Sequence, residues 1–264
     1  MTILLDTPDA TVLHADWRET LALVTARGGC DALIGDAPYS ERTHAGQRHG
    51  RREEWVADEA RWASSRGLPY AGWSESDAAD FVAAWAPATR GWIVSITDHT
   101  LARAWESALR DAGRYVFAPL AAVQVGMNCR LAGDGPSSWT TWIVVARPRA
   151  GFPKWGTLPG AYMGNPFDAG ENTVTGTKRA GVVGGKPLWL MSALVRDYSR
   201  RGDLVVDPCC GAGTTGAAAR ILGRRTICGD AMAEHAALAC KRIAAAREQT
   251  ALPFDAAPMT QTKM

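Results

Sequence analysis

Short runs of aliphatic and β-branched residues alternate with helical patterns along most of the chain. This alternation favours an α/β protein with a mainly parallel sheet. We predict strands at residues 11–15, 31–35, 91–97, 115–125, 138–146, 203–206 and 226–229, of which the fourth and fifth form an antiparallel pair. We predict helices at residues 76–86, 101–111, 188–198 and 231–247, with two more after residues 16 and 216.

Three segments lack a regular hydrophobic period. Residues 40–67 are polar and rich in Arg and His, which is typical of an exposed loop. Residues 147–185 are rich in Pro, Gly, Asn and Thr, and residues 249–264 have the composition of a flexible tail. The regular elements therefore fall into two blocks, residues 1–146 and 186–248.

The composition is that of a globular protein. Hydrophobic residues make up 47% of the 264 positions and charged residues 21%, which excludes a disordered chain, a collagen-like repeat and a coiled coil. The chain has no run of 18 apolar residues and no basic region of a signal peptide, so we expect a cytoplasmic protein without a membrane span. The six cysteines show neither CxxC spacing nor His at metal-ligand intervals, so we expect reduced thiols and no metal site.

A glycine-rich loop follows the predicted strand 203–206. The sequence VVDPCCGAGTTG ends this strand and opens a helix, and Asp230 stands at the tip of the next strand. Glycines let the backbone turn sharply and approach a ligand, while the helix N-terminus presents free N–H groups. An acidic residue at the end of the next strand can accept hydrogen bonds from ribose hydroxyls. These residues predict a nucleotide-type cofactor.

The position of this loop argues against a hydride-transfer dinucleotide fold. Only 34 residues follow Asp230, which is too few for the further strand–helix units that such a fold needs. The other strands of the sheet must come from the N-terminal side, so we predict a circularly permuted strand order.

The tetrapeptide Asp36-Ala37-Pro38-Tyr39 lies at the carboxyl end of another predicted strand. Ligand chemistry in α/β sheets takes place at this edge. The Asp36 carboxylate and the Ala37 carbonyl can accept the two hydrogens of an exocyclic amino group, and Tyr39 can stack on the base. Such a tetrapeptide alone is often only a turn, but its pairing with the glycine loop favours a site for a planar base.

Together, DAPY at 36–39 and DPCCGAGTT at 207–215 resemble the motifs of the S-adenosylmethionine-dependent amino-group DNA methyltransferases of the circularly permuted beta class. KPLWLM at 186–191 and the strand GRRTICGD at 223–230 are similar to further family segments. The resemblance implies a Rossmann-like, seven-stranded class I methyltransferase fold with an inserted target-recognition region. It also implies direct methyl transfer to a flipped base, in a restriction–modification system or as an orphan methylase.

The resemblance also assigns roles to the segments. Residues 1–146 would form the catalytic half of the domain, with an exposed basic loop at 40–67. Residues 186–248 would form the cofactor-binding half of the same domain. Residues 147–185, between them, would contact DNA and recognise the target.

Individual residues receive roles from the same resemblance. Asp36, Ala37, Pro38 and Tyr39 would be the catalytic residues, and no covalent nucleophile would be needed. Asp230 would take the ribose hydroxyls of S-adenosylmethionine, and Asp16 would lie beside its adenine. The full set of cofactor-binding residues would be Asp16, Lys186, Pro187, Asp207, Pro208, Cys209, Gly211, Gly213, Thr214 and Asp230.

The sequence departs from the family pattern at two of these places. Ala37 replaces the first Pro of the family motif but still offers a backbone carbonyl, and Cys209-Cys210 replaces a Phe and a small residue. An initial Asp leans towards adenine within the family, so we predict transfer to N6 of adenine. The alternatives are N4 of cytosine, an RNA amine, and a catalytically silent DNA-binding relative.

The charge is distributed unevenly. The net charge is only +2, but residues 41–52, 147–154 and 172–187 each carry a net +3, which leaves −7 for the rest of the chain. Arg and Lys in such loops would contact phosphates or guanine edges. We expect double-stranded DNA as the partner, no membrane contact, and leave a homodimer open. The predicted DNA contacts are Arg42, Arg48, Arg51, Arg52, Lys178 and Arg179.

Overall fold

A computed structural model describes residues 1–43, 70–125, 139–164 and 185–247 of the protein. The strands are β1 (Thr2–Asp6), β2 (Ala10–His14), β3 (Cys30–Gly35), β4 (Thr89–Thr97), β5 (Arg114–Val116), β6 (Leu120–Gln124), β7 (Thr140–Pro148), β8 (Ala161–Gly164), β9 (Leu204–Asp207) and β10 (Arg225–Asp230). The helices are α1 (Trp17–Ala26), α2 (Glu75–Ala88), α3 (Ala102–Asp111), α4 (Leu188–Tyr198), α5 (Thr214–Ile221) and α6 (Ala233–Ala245). Among these helices, none has the length and apolar character that crossing a membrane requires.

The strands of the described residues form one ten-stranded sheet in the order β1-β2-β10-β9-β3-β4-β7-β6-β8, with β5 also paired to β7. The strands from β2 to β4 along this path are parallel, and β7 is antiparallel to β4 and to β6. The predicted antiparallel pair is therefore confirmed. Although β9 comes late in the chain, it lies in the middle of the sheet beside β3. This order brings the two predicted halves of the domain side by side.

The sheet has more strands than the seven predicted. The central path from β2 to β6 contains seven strands, and β1, β5 and β8 are additional. β1 and β8 are short strands at the two edges of the sheet, and neither was predicted. β1 has an apolar run of only three residues, Ile3, Leu4 and Leu5, and β8 has one buried side chain, Tyr162. The predicted strand 115–125 is divided into β5 and β6 because Pro119, which lies between them, cannot donate a ladder hydrogen bond.

Helices cover both faces of the sheet. Side chains alternate between the two faces of a strand, so Leu33 packs with the cluster beneath α1, α2 and α3, and Ile34 packs with the cluster beneath α4 and α5. Helix α6 packs over β2 and β10 through Ala239 and Ile243. The result is a doubly wound sheet whose carboxyl edge is open for ligands.

The described residues that flank the intervals 44–69, 126–138 and 165–184 lie at this carboxyl edge. Thr43 donates to Asp98, which follows β4, and Tyr70 lines the cleft described below. Strand β6 and the start of β7 meet there through Gln124 and Trp139, and Gly164 accepts from Val125 beside them. Parallel strands of one sheet place their loops together, so distant parts of the sequence converge at this edge.

The predicted DNA-contact segment 147–154 begins at the opposite edge. Trp142 pairs with Thr97 and Ala146 pairs with Ile93, so β7 runs away from the carboxyl edge. Arg147 follows there, with its guanidinium 4.7 Å from the ring centre of Tyr115. This part of the predicted recognition region does not flank the cleft, because an antiparallel strand carries the chain to the other end of the sheet.

Candidate functional site

A cleft of about 430 Å³ lies at the carboxyl edge, among residues that follow β2, β3, β9 and β10. This volume falls within the range of small-molecule binding sites. The predicted residues that line it are Asp16, Asp36, Pro38, Lys186, Asp207, Pro208, Cys209, Gly211, Thr214 and Asp230. The tertiary structure thus brings together two motifs that are about 170 positions apart in the sequence.

The glycine loop is held by the carboxylate of Asp230. Gly211 and Gly213 adopt φ angles of 51° and 74°, in the left-handed region that favours glycine. The Gly211 N–H donates to Asp230 Oδ2 at 2.8 Å, and the Met232 N–H donates to Oδ1 at 2.9 Å. Asp230 therefore ties the loop after β9 to the end of β10, at the place where the sequence predicted a ribose contact.

Asp207 forms the floor of the loop. It is 1% exposed, and its carboxylate accepts hydrogen bonds from the Cys209 N–H at 3.1 Å and the Thr215 hydroxyl at 2.5 Å. Burial raises the pKa of Asp207 to about 7, although the hydrogen bond from Thr215 opposes this shift. A Cβ on Gly35 would lie 2.7 Å from Asp207 Oδ1, so the glycine before Asp36 lets the two motifs approach closely.

The catalytic candidate Asp36 is paired with Lys186. The Lys186 ammonium donates to Asp36 Oδ2 at 2.5 Å and lies 4.8 Å from the ring centre of Tyr39. Asp36 Oδ1 is buried and has no hydrogen-bond partner among the described residues. Burial raises the pKa of Asp36, and the charge of Lys186 and the neighbouring Tyr39 hydroxyl oppose the rise. One carboxylate oxygen is thus fixed by the protein, and the other is left as an acceptor.

Four predicted site residues support the cleft without lining it in the described structure. Ala37 is 6% exposed and packs in the core cluster beneath α1, α2 and α3, and Pro187 is buried just before the first residue of α4. A Cβ on Gly213 would lie 2.8 Å from the Cβ of Ala239, so Gly213 packs against α6. Burial, together with the charge of Asp36, raises the pKa of Tyr39 well above its usual value, so its hydroxyl stays protonated.

Asp16 has a structural task in addition to its place in the cleft. Its side chain accepts hydrogen bonds from the N–H groups of Arg18 at 2.8 Å and Glu19 at 3.2 Å, which caps the N-terminus of α1. The carboxylate is therefore pre-oriented at the rim of the cleft.

Of the predicted DNA contacts, Arg42 is described and is exposed, two residues after Ser40 at the carboxyl edge. Arg48, Arg51, Arg52, Lys178 and Arg179 lie outside the described residues.

Several cleft residues were not predicted from the sequence. The Tyr70 ring meets the His235 ring edge to face at 6.4 Å, and His235 Nδ1 lies 3.4 Å from Asp230 Oδ1. Trp73 lines the cleft and stacks on Trp105, with ring centres 6.2 Å apart. The spacing of five residues between Asp230 and His235 could have indicated a residue one turn into the next helix. The remaining new members are Trp17, Ala71, Gly72, Asp77, Gly185, Met191, Cys210, Ala212, Thr215, Ala231 and Met232.

Carboxylates dominate the charge of the cleft. Its described lining contains five Asp side chains, one Lys and one His. Such a surface attracts a ligand that carries positive charge. The lining Asp residues are Asp16, Asp36, Asp77, Asp207 and Asp230.

The sequence comparison finds a family match that overlaps the predicted cofactor-binding half. Residues 171–241 match the family of N6/N4 DNA methylases. The type II methyltransferase M2.DpnII of Streptococcus pneumoniae is 41% identical over 63 residues. The chain spans only 24% of the length of that relative, and the matched segment is 24% of the chain itself.

Comparison with solved structures extends the agreement to the whole fold. The M1.HpyAVI–SAM complex has a TM-score of 0.61 at 19% identity, covering 89% of this chain and 98% of that chain. TTHA0409 of Thermus thermophilus with S-adenosyl-L-methionine has a TM-score of 0.56 at 18% identity, covering 87% and 91%. The cytosine-N4-specific PvuII DNA methyltransferase has a TM-score of 0.59 at 13% identity, covering 89% and 86%. The predicted Rossmann-like class I methyltransferase fold is therefore confirmed.

Proposed function

We propose that this protein transfers a methyl group from S-adenosylmethionine to the N6 amino group of a flipped adenine in DNA. The observation that carries the proposal is the state of Asp36: Lys186 fixes one oxygen, and the other is a buried acceptor without a partner in the described residues. A buried acceptor without a partner costs free energy, which a ligand donor can recover. This acceptor lies in the same cleft as the glycine loop.

The residues of the cleft fit S-adenosylmethionine. The ligand carries a positive sulfonium and a positive ammonium group, and five Asp side chains line the cleft. The left-handed glycines of the loop allow close approach of the backbone, and Asp230 stands where ribose hydroxyls would be bound. When bound, this cofactor supplies an electrophilic methyl group.

The protein's own contribution to the reaction is positioning and hydrogen bonding. Asp36 Oδ1 and the Ala37 carbonyl would accept the two amino hydrogens, which frees the nitrogen lone pair from the ring. Lys186 holds Asp36 in place by its hydrogen bond to Oδ2. The methylated amine must lose one proton, and the Asp36 carboxylate can accept it. Cys209 is not needed as a nucleophile, and burial raises the pKa of its thiol well above the usual value.

The choice of adenine rests on the first residue of the tetrapeptide, which is Asp in this chain. Transfer to N4 of cytosine is the second candidate, because the PvuII enzyme that shares the fold is cytosine-N4-specific. Incubation with labelled S-adenosylmethionine and duplex DNA, followed by digestion to nucleosides, distinguishes the two. We expect label in N6-methyladenine. Label in N4-methylcytosine would replace the adenine assignment, and no label in DNA or RNA would remove the proposed activity.

The variant Asp36→Ala tests the assigned acceptor. We expect methyl transfer to be lost, because the amine loses its carboxylate acceptor and the tetrapeptide at residues 36–39 loses its ion pair with Lys186. Binding of S-adenosylmethionine, measured by calorimetry, should stay within about threefold of wild type, since the glycine loop and Asp230 are unchanged. A normal rate of transfer in this variant would show that Asp36 is not the acceptor.

A further inference from the structure

A second buried aspartate lies directly behind the catalytic tetrapeptide. Asp98 follows the last residue of β4 and is 7% exposed. Its Oδ2 accepts three hydrogen bonds: from the Ser40 N–H at 2.9 Å, the Ser40 hydroxyl at 2.5 Å and the Thr43 hydroxyl at 2.5 Å. All three donors belong to the segment that continues from Tyr39. One carboxylate oxygen therefore holds the end of the motif.

The other oxygen of Asp98 is bound to rigid structure. Oδ1 accepts hydrogen bonds from the N–H groups of Thr100 and Leu101, each at 3.0 Å, just before α3 begins. Leu101 is buried, and α3 packs on the sheet through the fully buried Trp105. The carboxylate thus connects the loop after Tyr39 to strand β4 and helix α3.

The hydrogen bonds favour the charged form of Asp98. Burial alone would raise its pKa, but the hydrogen bonds from Ser40, Thr43 and Leu101 outweigh burial and lower it. A carboxylate that is both charged and buried forms stronger hydrogen bonds than a neutral group. The contact is therefore well suited to fixing a backbone position.

The tetrapeptide is held from its other side as well. The Trp73 N–H donates to the Tyr39 carbonyl at 2.8 Å, and Ser40 and Trp73 form a parallel bridge. At the start of the motif, Gly35 pairs with Ser95 in the sheet. Asp36 and Ala37 are therefore suspended between strand β3 and the anchor at Ser40, with Pro38 stiffening the connection.

We propose that Asp98 is a positioning residue that sets the direction of the Asp36 carboxylate and the Ala37 carbonyl through its hydrogen bonds to Ser40 and Thr43. The proposal rests on the proposed methyl transfer for its catalytic meaning. Its structural content, the fixing of the segment after Tyr39, is independent of which substrate is used.

The variant Asp98→Asn removes the acceptor for Ser40 and Thr43 and keeps the acceptor for Thr100 and Leu101. Its remaining oxygen can still accept from Thr100 and Leu101, while its NH₂ group would face the Ser40 N–H and can no longer accept from it. We expect kcat to fall by roughly 100-fold, since misplacement of reacting groups by about 1 Å has effects of that size. The Kd for S-adenosylmethionine should stay within about twofold, because the glycine loop is untouched.

Two milder variants distinguish the loss of this hydrogen bond from a general folding defect. Thr43→Val removes one donor to Asp98, and Thr43→Ser keeps it. We expect Thr43→Val to lower kcat by roughly tenfold and Thr43→Ser to restore most of it, with equal melting temperatures for the two. Equal kcat values for Val and Ser would overturn the role assigned to this hydrogen bond.

Asp31→Asn is the matched control, because it also replaces a hydrogen-bonded aspartate by asparagine. Asp31 accepts from Arg90 and from the Leu204 N–H at the opposite edge of the sheet. We expect the control to lose some stability but to keep the kcat of wild type. A loss of kcat in Asp31→Asn as large as that in Asp98→Asn would show that only overall stability is involved, and would overturn the proposal.

Hydrogen–deuterium exchange tests the anchor without any assay of activity. We expect the amides of residues 36–43 to exchange at least about tenfold faster in Asp98→Asn than in wild type, and the amides of α5 to be unchanged. Unchanged exchange of residues 36–43 would overturn the proposal even if the enzyme is active. Faster exchange in a protein that transfers no methyl group would retain the anchor and reject only the proposed function.

Discussion

Lys186 shows how a residue from the predicted cofactor-binding half can support the tetrapeptide at residues 36–39. The resemblance assigned it to the methionine end of the cofactor, and the structure places its ammonium on Asp36 Oδ2 at 2.5 Å. It is 8% exposed, so its charge is poorly screened by water and acts strongly on its neighbours. Lys186 therefore orients Asp36 and favours its ionised form.

Replacement of Lys186 should therefore change the pH dependence of the reaction. Burial raises the pKa of Asp36, and Lys186 lowers it, so Lys186→Met should raise that pKa further. The acidic limb of the single-turnover pH–rate profile should move to higher pH, with the largest loss of rate below neutral pH. Lys186→Arg retains the charge and should move the limb less. Superimposable limbs for wild type and Lys186→Met would contradict this role.

Asp207 gives a residue-level prediction for stability. Its pKa in the folded protein is about 7, above the ordinary 3.8, so the folded state binds the proton more tightly than the unfolded state. The free energy of unfolding should consequently fall as the pH rises from about 4 to about 7, by up to roughly 4 kcal/mol from this group. Asp207→Asn removes the contribution. In urea titrations at both pH values, the stability of the variant relative to wild type should increase with pH; a constant difference would contradict the assignment.

At the level of elements, α5 and α6 depend on a glycine that was predicted to bind the cofactor. Gly213 precedes α5 with a φ of 74°, and an added Cβ would lie 2.8 Å from Ala239 Cβ and 3.1 Å from Ile243 Cδ1. The close approach of the two helices requires the missing side chain. Gly213 is therefore required for packing against α6, independently of any role in cofactor binding.

Gly213→Ala should accordingly destabilise the protein more than backbone strain alone explains. We expect a loss of about 1–2 kcal/mol from the left-handed backbone and about 1–3 kcal/mol more from overpacking against α6. Gly202→Ala is the control, because Gly202 has a φ of 82° and no atom within 4 Å of an added Cβ. Chemical denaturation measures both variants. Equal losses in the two would show that packing against α6 is not limiting.

The strands that were predicted from the sequence are mainly the buried ones. Strands β3, β4 and β9 are buried on both faces, and each contains a continuous hydrophobic run, at residues 32–34, 92–94 and 204–206, that is easily recognised. Strand β10 is equally buried but has only Ile227 and Cys228 as apolar residues. The edge strand β8 has four residues, of which Met163 is 71% exposed, and it is stabilised by pairing with β6 rather than by its own sequence. Pairing between distant segments leaves no local pattern.

At the level of the whole molecule, the two edges of the sheet have different roles. The cleft, Arg42 and the residues that flank three intervals of the chain lie at the carboxyl edge, and Arg147 lies at the amino edge. The net charge of +2 hides this distribution. If DNA binds over the cleft, its phosphates should be contacted from the carboxyl edge.

Salt dependence of DNA binding tests this arrangement. Replacing Arg48, Arg51 and Arg52 by Ala should weaken binding and reduce the slope of log K against log salt by up to about 2.7, since each phosphate contact contributes about 0.9. The matched control replaces Arg149, Lys154 and Arg201, which are exposed and lie after β7 or just before β9, towards the amino edge. This set removes the same charge and should leave the slope near that of wild type. Fluorescence anisotropy with a labelled duplex measures both. A larger effect of the control set would place the DNA at the opposite edge.

The sequence by itself determined the α/β class, the two motifs, most buried elements and the chemistry that each motif offers. These features depend on local patterns: hydrophobic period, glycine at left-handed positions, and acidic residues at strand ends. Only the tertiary structure decided that Lys186 pairs with Asp36, that Asp98 holds Ser40, and that Arg147 lies away from the cleft. Each of these depends on which strands are neighbours and in which direction they run. Strand neighbours are set by packing of the whole sheet, which no local stretch of sequence specifies.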